Sequence, residues 1–102
     1  MPDLVLPLKA EYFDAIREGE KLEEFRLRTP YWRQRLEGRE FARVVLTKGY
    51  PARDDTERRM VREWRGYRLA TITHPHFGTA PVEVFAIDVS TPRFEAPKGR
   101  EK

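Results

Sequence analysis

This 102-residue chain contains no cysteine, a single serine (Ser90) and only two histidines, His74 and His76. Lacking cysteine excludes disulfides and thiolate zinc sites and suits a reducing compartment, so a cytoplasmic address is the expectation. The lone serine stands outside any nucleophile-elbow motif, which leaves serine-hydrolase chemistry without a candidate. No Gly-rich phosphate loop or dinucleotide fingerprint occurs, and no cofactor is expected. No apolar run is long enough to cross a bilayer, and Met1-Pro2-Asp3-Leu4 lacks the basic and apolar regions of a secretion signal. Excess charge of one sign is also scarce. The net charge is +3, far from a polybasic tail.

What is present is a heavily charged globular composition, 39% hydrophobic and 36% charged, with room for one domain and one modest core. Of the 20 basic residues, 15 are arginine. Arginine forks onto phosphate and stacks on bases in ways lysine does not, so the balance is compatible with a nucleic-acid partner, as it is with genome composition.

Along the chain, Leu4-Val5-Leu6 reads as a short strand closed by Pro7. Leu8, Tyr12, Ala15 and Ile16 then fall on one helical stripe, with Phe13 at its edge and no good N-cap residue before it. Gly19 is suited to end that helix in the left-handed conformation. Thr29-Pro30 signals a second helix start, running through Leu36 to Gly38. The segment from Phe41 to Thr47 reads as a buried strand and Lys48-Gly49-Tyr50-Pro51 as a turn. Residues 52–62 (ARDDTERRMVR) read as an exposed loop, with room for one helical turn from Asp55. A strand over Leu69–Thr73 follows, broken by His74-Pro75-His76-Phe77-Gly78. Val82–Val89 is the clearest late strand. The domain is expected over residues 1–90, with 91–102 as a flexible tail. About five strands and two or three short helices, bent at glycines, suit an α+β chain with a small curved or closed sheet.

The candidate site starts after Gly19. Read as a strand, Leu22, Glu24, Arg26 and Arg28 share one side, and Lys21, Glu23, Phe25 and Leu27 the other. A carboxylate and two guanidiniums in one row either face water, where such pairs contribute little, or line a site. In a cleft, Glu24 would stay ionised between cations and accept hydrogen bonds from a base's exocyclic amine. Arg26 would orient it or reach a phosphate, and Lys21 would meet a phosphate or act as nucleophile or base. Unpaired bases stack on aromatic rings, which makes Tyr31, Trp32, Tyr50, Trp64 and Tyr67 the pool. Tyr31 follows the charged strand, and the Lys48–Pro51 turn exposes Tyr50 beside the charge of Lys48. His74 and His76 are candidates for proton transfer or hydrogen bonding to a substrate. A metal site is not expected there, because Pro75 favours a turn and spacing specifies no third ligand.

The pattern Gly-x-Lys-x-x-Glu-x-Arg, standing as Gly19, Lys21, Glu24 and Arg26, resembles the signature of the ASCH domain. The surrounding order is similar too, from Leu4 to Val89: an amphipathic helix before the glycine, then RTPYW, VVLTKGYP and a β-rich half. The resemblance implies a PUA-like β-barrel associated with RNA. The leading expectation is therefore a module that takes single-stranded RNA, or a modified nucleotide or nucleoside, into a cleft lined by Lys21, Glu24 and Arg26. The alternative is an enzyme, since some ASCH proteins are amidohydrolases on acylated cytidine and others ribonucleases. For the amidohydrolases the resemblance implies a catalytic lysine, matched by Lys21, and a threonine three residues on, where this chain has Glu24.

Overall fold

The computed structural model describes residues 1–92. Most of the expected tail, from residue 93 onward, therefore lies outside the described residues. Ten segments follow in order: β1 (Leu4–Leu8), α1 (Ala10–Arg17), β2 (Glu23–Leu27), α2 (Pro30–Leu36), β3 (Val44–Lys48), a 3₁₀ turn (Thr56–Arg58), β4 (Arg59–Arg62), β5 (Tyr67–Ile72), a second 3₁₀ turn (Pro75–Phe77) and β6 (Val82–Asp88). The strands form two three-stranded sheets, ordered β1-β3-β4 and β2-β6-β5. The expected PUA-like barrel is thereby corrected: the described residues form an α+β fold with six strands in two open sheets and two helices. At one edge an isolated bridge pairs Arg62 with Pro92, just past β6, and the Glu63 amide donates to the Thr91 carbonyl at 2.8 Å.

β1 alternates as a half-buried strand should, with Leu4, Leu6 and Leu8 inside. It runs through Pro7 instead of stopping there, because β1 is an edge strand and a missing ladder donor is tolerated at an edge. It pairs in parallel with β3, which in turn pairs antiparallel with β4. β4 corrects the expected loop. Its only apolar residues, Met60 and Val61, lie opposite Leu46 and Val45. The guanidinium groups of its arginines end on backbone carbonyls, Arg59 on Pro51 and Ala52, Arg62 on Ile16.

The second sheet is antiparallel and centres on β6, whose residues Val84 to Ile87 are all buried. A middle strand covered on both faces loses its alternation, which is why the sequence could not assign its inner side. The core combines Leu6, Phe13, Ile16, Leu36, Leu46, Phe85 and Ile87 from both sheets and both helices. Phe13, placed at the stripe edge by periodicity, is fully buried.

At α2, the Thr29 hydroxyl accepts from the Trp32 amide at 3.3 Å, and Pro30 opens the first turn. Thr29→Ala is expected to cost about 1 kcal/mol. In a chain of this size that lowers the thermal midpoint by roughly 4–8 °C, measurable by circular dichroism.

Candidate functional site

α1 ends at Arg17, and Gly19 takes φ 83°, turning the chain so that Lys21 lies just ahead of β2. In β2, Glu24 pairs with Ile87 of β6 and Arg26 with Phe85. Cross-strand partners share a face, so the charged row of β2 points inward beside two core residues. Glu24 is 6% exposed. Arg26 Nη2 lies 3.2 Å and Lys21 Nζ 3.7 Å from its two carboxylate oxygens. The same Arg26 nitrogen donates to the Pro7 carbonyl at 2.9 Å, tying β2 to β1 across the two sheets.

A small cleft opens beside Lys21 and Glu24, lined with them by Tyr12, Phe25, His74, His76 and Phe77. The His76 amide donates to His74 Nδ1 at 3.1 Å. With Nδ1 accepting, the neutral His74 ring carries its proton on Nε2 and so presents a donor. Lys21 Nζ lies over the Phe25 ring at 4.5 Å and the Tyr12 ring at 5.6 Å, and the Arg26 guanidinium lies over Trp32 at 5.2 Å. Such contacts are worth more where water is excluded; the first holds Lys21 at the cleft, the second Arg26 at the neighbouring groove.

Burial pushes the Glu24 carboxyl above its ordinary value; Arg26 and Lys21 pull the other way without overcoming it. Burial, followed by the Glu11 and Glu24 carboxylates, also raises the Tyr12 phenol. For Glu24 the native state binds the proton more tightly than the unfolded chain does. Its contribution is therefore fully present below the unfolded carboxyl value and is lost as pH rises through the folded one. Denaturant titrations across that window should show wild-type stability falling more steeply with pH than that of Glu24→Gln, which has no such proton. Equal slopes would contradict the burial of an ionisable carboxyl here.

No family model, curated protein or solved structure matches the chain. The site is therefore read from its geometry. Of the residues the sequence nominated, Lys21, Glu24, Arg26, His74 and His76 surround the cleft or its rim, and Tyr31 lines a neighbouring groove. Three others lie elsewhere. Arg28 is held by Glu37 at 3.3 Å and Glu83 at 3.5 Å, and Lys48 by Asp14 at 3.0 Å. Tyr50 stands 90% exposed in the turn after β3 and lines neither the cleft nor its flanking grooves. Sequence reasoning missed Tyr12, Phe25 and Phe77. Periodicity assigns Tyr12 to the core stripe of α1, and Phe25 to the face opposite Glu24. Among the described residues no cluster of three or more His, Asp or Glu side chains suits a metal ion.

Proposed function

We propose that the chain is an ASCH-like nucleic-acid-binding module. In this reading its cleft receives the polar edge of an unpaired or modified base of single-stranded RNA, or of a nucleotide. Glu24 accepts from the exocyclic amine, Lys21 and Arg26 hold that carboxylate in place, and aromatic rings flank the base. A cytoplasmic RNA or nucleotide pool is the proposed setting.

One observation carries the reading. A glutamate occupies an inward position of β2, opposite Ile87 of the neighbouring strand, at the end of an aromatic-lined cleft. Taking a carboxylate and two cations out of water is costly, and apolar residues of similar size would often serve folding as well or better. Placing the trio at an opening gives it partners to recognise.

The test is titration of fluorescently labelled single-stranded RNA at low and high salt, with wild type and Glu24→Gln. Wild type is expected to bind, with affinity falling as salt rises, and the variant to bind at least about tenfold more weakly, the order of one good base contact. Absence of binding at low salt, or equal affinity in both proteins, overturns the reading.

The proton affinity of Glu24, raised by burial beside the Lys21 amine, favours a second reading as a hydrolase, with Glu24 as general base toward water. Incubation with acylated cytidine and with RNA separates the two. Turnover that disappears in Lys21→Ala supports an enzyme, and binding without turnover supports the module.

A further inference from the structure

The cleft at Glu24 has a volume of about 40 Å³. At roughly 10–15 Å³ per water, that is room for a few waters and not for a nucleobase ring. Only the edge of a ligand reaches Glu24, and the rest must lie in what adjoins it. Two grooves do. One, of about 370 Å³, shares Tyr12, Phe25, His76 and Phe77 with the cleft and adds Lys9, Arg26 and Trp32. The other, of about 410 Å³, shares Lys21 and Phe25 and adds Glu23 and Asp88. Phe25 lines all three spaces, which makes them neighbours along one track of the surface.

The track is electrically asymmetric. The first groove has two cations and no carboxylate in its lining, while the second has two carboxylates facing one lysine. Lys9 is exposed and makes no ion pair among the described residues. Arg26 Nε is a buried donor without a hydrogen-bond partner among them. On the other side, Glu23 is matched by Arg68 at 2.8 Å and Asp88 accepts from Ser90, so those carboxylates are already satisfied. Asp88 is matched by Arg65 as well, and the Lys21 of that groove is held by Glu24, whereas Lys9 of the first groove has no ion-pair partner among the described residues and so favours an anion there.

Building on the base-binding reading, we infer that the ligand must carry phosphate. The phosphate lies in the Lys9–Arg26 groove while the base edge meets Glu24, so a free nucleoside is a poor ligand. The first groove falls within the 300–1,000 Å³ or so usual for sites that take small organic ligands, which suits a base ring together with its sugar phosphate.

The experiment is calorimetric titration with cytidine, cytidine 5′-monophosphate and a tetracytidylate at low and at 0.5 M salt (roughly a 4 Å screening length). Wild type is compared with Lys9→Gln, Lys9→Glu and, as a control outside the track, Lys48→Gln. The phosphorylated probes are expected to bind wild type at least about tenfold more tightly than cytidine, through charge-assisted contacts that high salt removes. Lys9→Gln should lose most of that excess, Lys9→Glu all of it, and Lys48→Gln none. Circular dichroism checks that each variant is folded. If cytidine binds as tightly as its phosphates, or both Lys9 variants keep the excess, the inference falls while base binding stands. If none of the three probes binds, both fall together.

Discussion

Phe85→Ala is expected to remove about 3–5 kcal/mol of stability, the usual cost of truncating a fully buried phenylalanine. For a chain of this size that is a large share of a total of order 5–15 kcal/mol. Phe85 lies on β6, the middle strand of its sheet, with its ring edge-on to Tyr67 at 4.9 Å between centroids. Its cross-strand partners are Arg26 on β2 and Leu69 on β5. The sheet cannot close over the lost ring without shifting the strand that carries the Glu24–Arg26 pair. Urea unfolding should show a lower midpoint with an unchanged slope, as for a change of stability without a change in the surface exposed. Leu69→Ala, at an exposed position of β5, is the internal comparison and should stay within about 0.5 kcal/mol of wild type. A similar loss in both variants would mean that β6 is not the centre of that core.

That core shows what the sequence discloses and what it withholds. Signals that act over a few residues were legible. Thr29-Pro30 opens α2, Gly19 takes a positive φ, and the Lys21–Glu24–Arg26 spacing brings three charges within reach because all belong to one turn and one strand. Pairings between distant segments were not. β4 is an arginine-rich tetrapeptide without alternation, and it becomes a strand through what β3 offers it. The division into two sheets rests on β6 lying between β2 and β5, an order that periodicity does not encode. The inward face of β2 is likewise decided by register, since a slip of one residue against β6 would turn Glu24 outward and Phe25 in. The cleft walls come from α1, β2 and the turn at Pro75–Phe77, so Tyr12, Phe25 and Phe77 share no spacing that could have marked them together.

Glu24→Ala is expected to cost about 3 kcal/mol, the lower end of the 3–5 kcal/mol seen when one partner of a buried ion pair is removed. The lower end applies because the Lys21 and Arg26 side chains each keep 19% of their surface in contact with solvent. Without the carboxylate, two cations remain facing each other at a core boundary, each having lost its anionic partner. Glu24→Gln keeps an acceptor for both and should cost clearly less. A third variant separates folding from recognition. Glu24→Leu combined with Arg26→Met replaces the pair by apolar groups of similar size, which commonly restores most of the stability. If the trio exists to meet a ligand, that double variant should unfold close to wild type in denaturant and still fail to bind single-stranded RNA. Recovery of stability together with retained affinity would show that the buried glutamate serves neither the core nor the ligand. Failure to recover stability would place its main role in joining β2 to β1 through Arg26 and the Pro7 carbonyl.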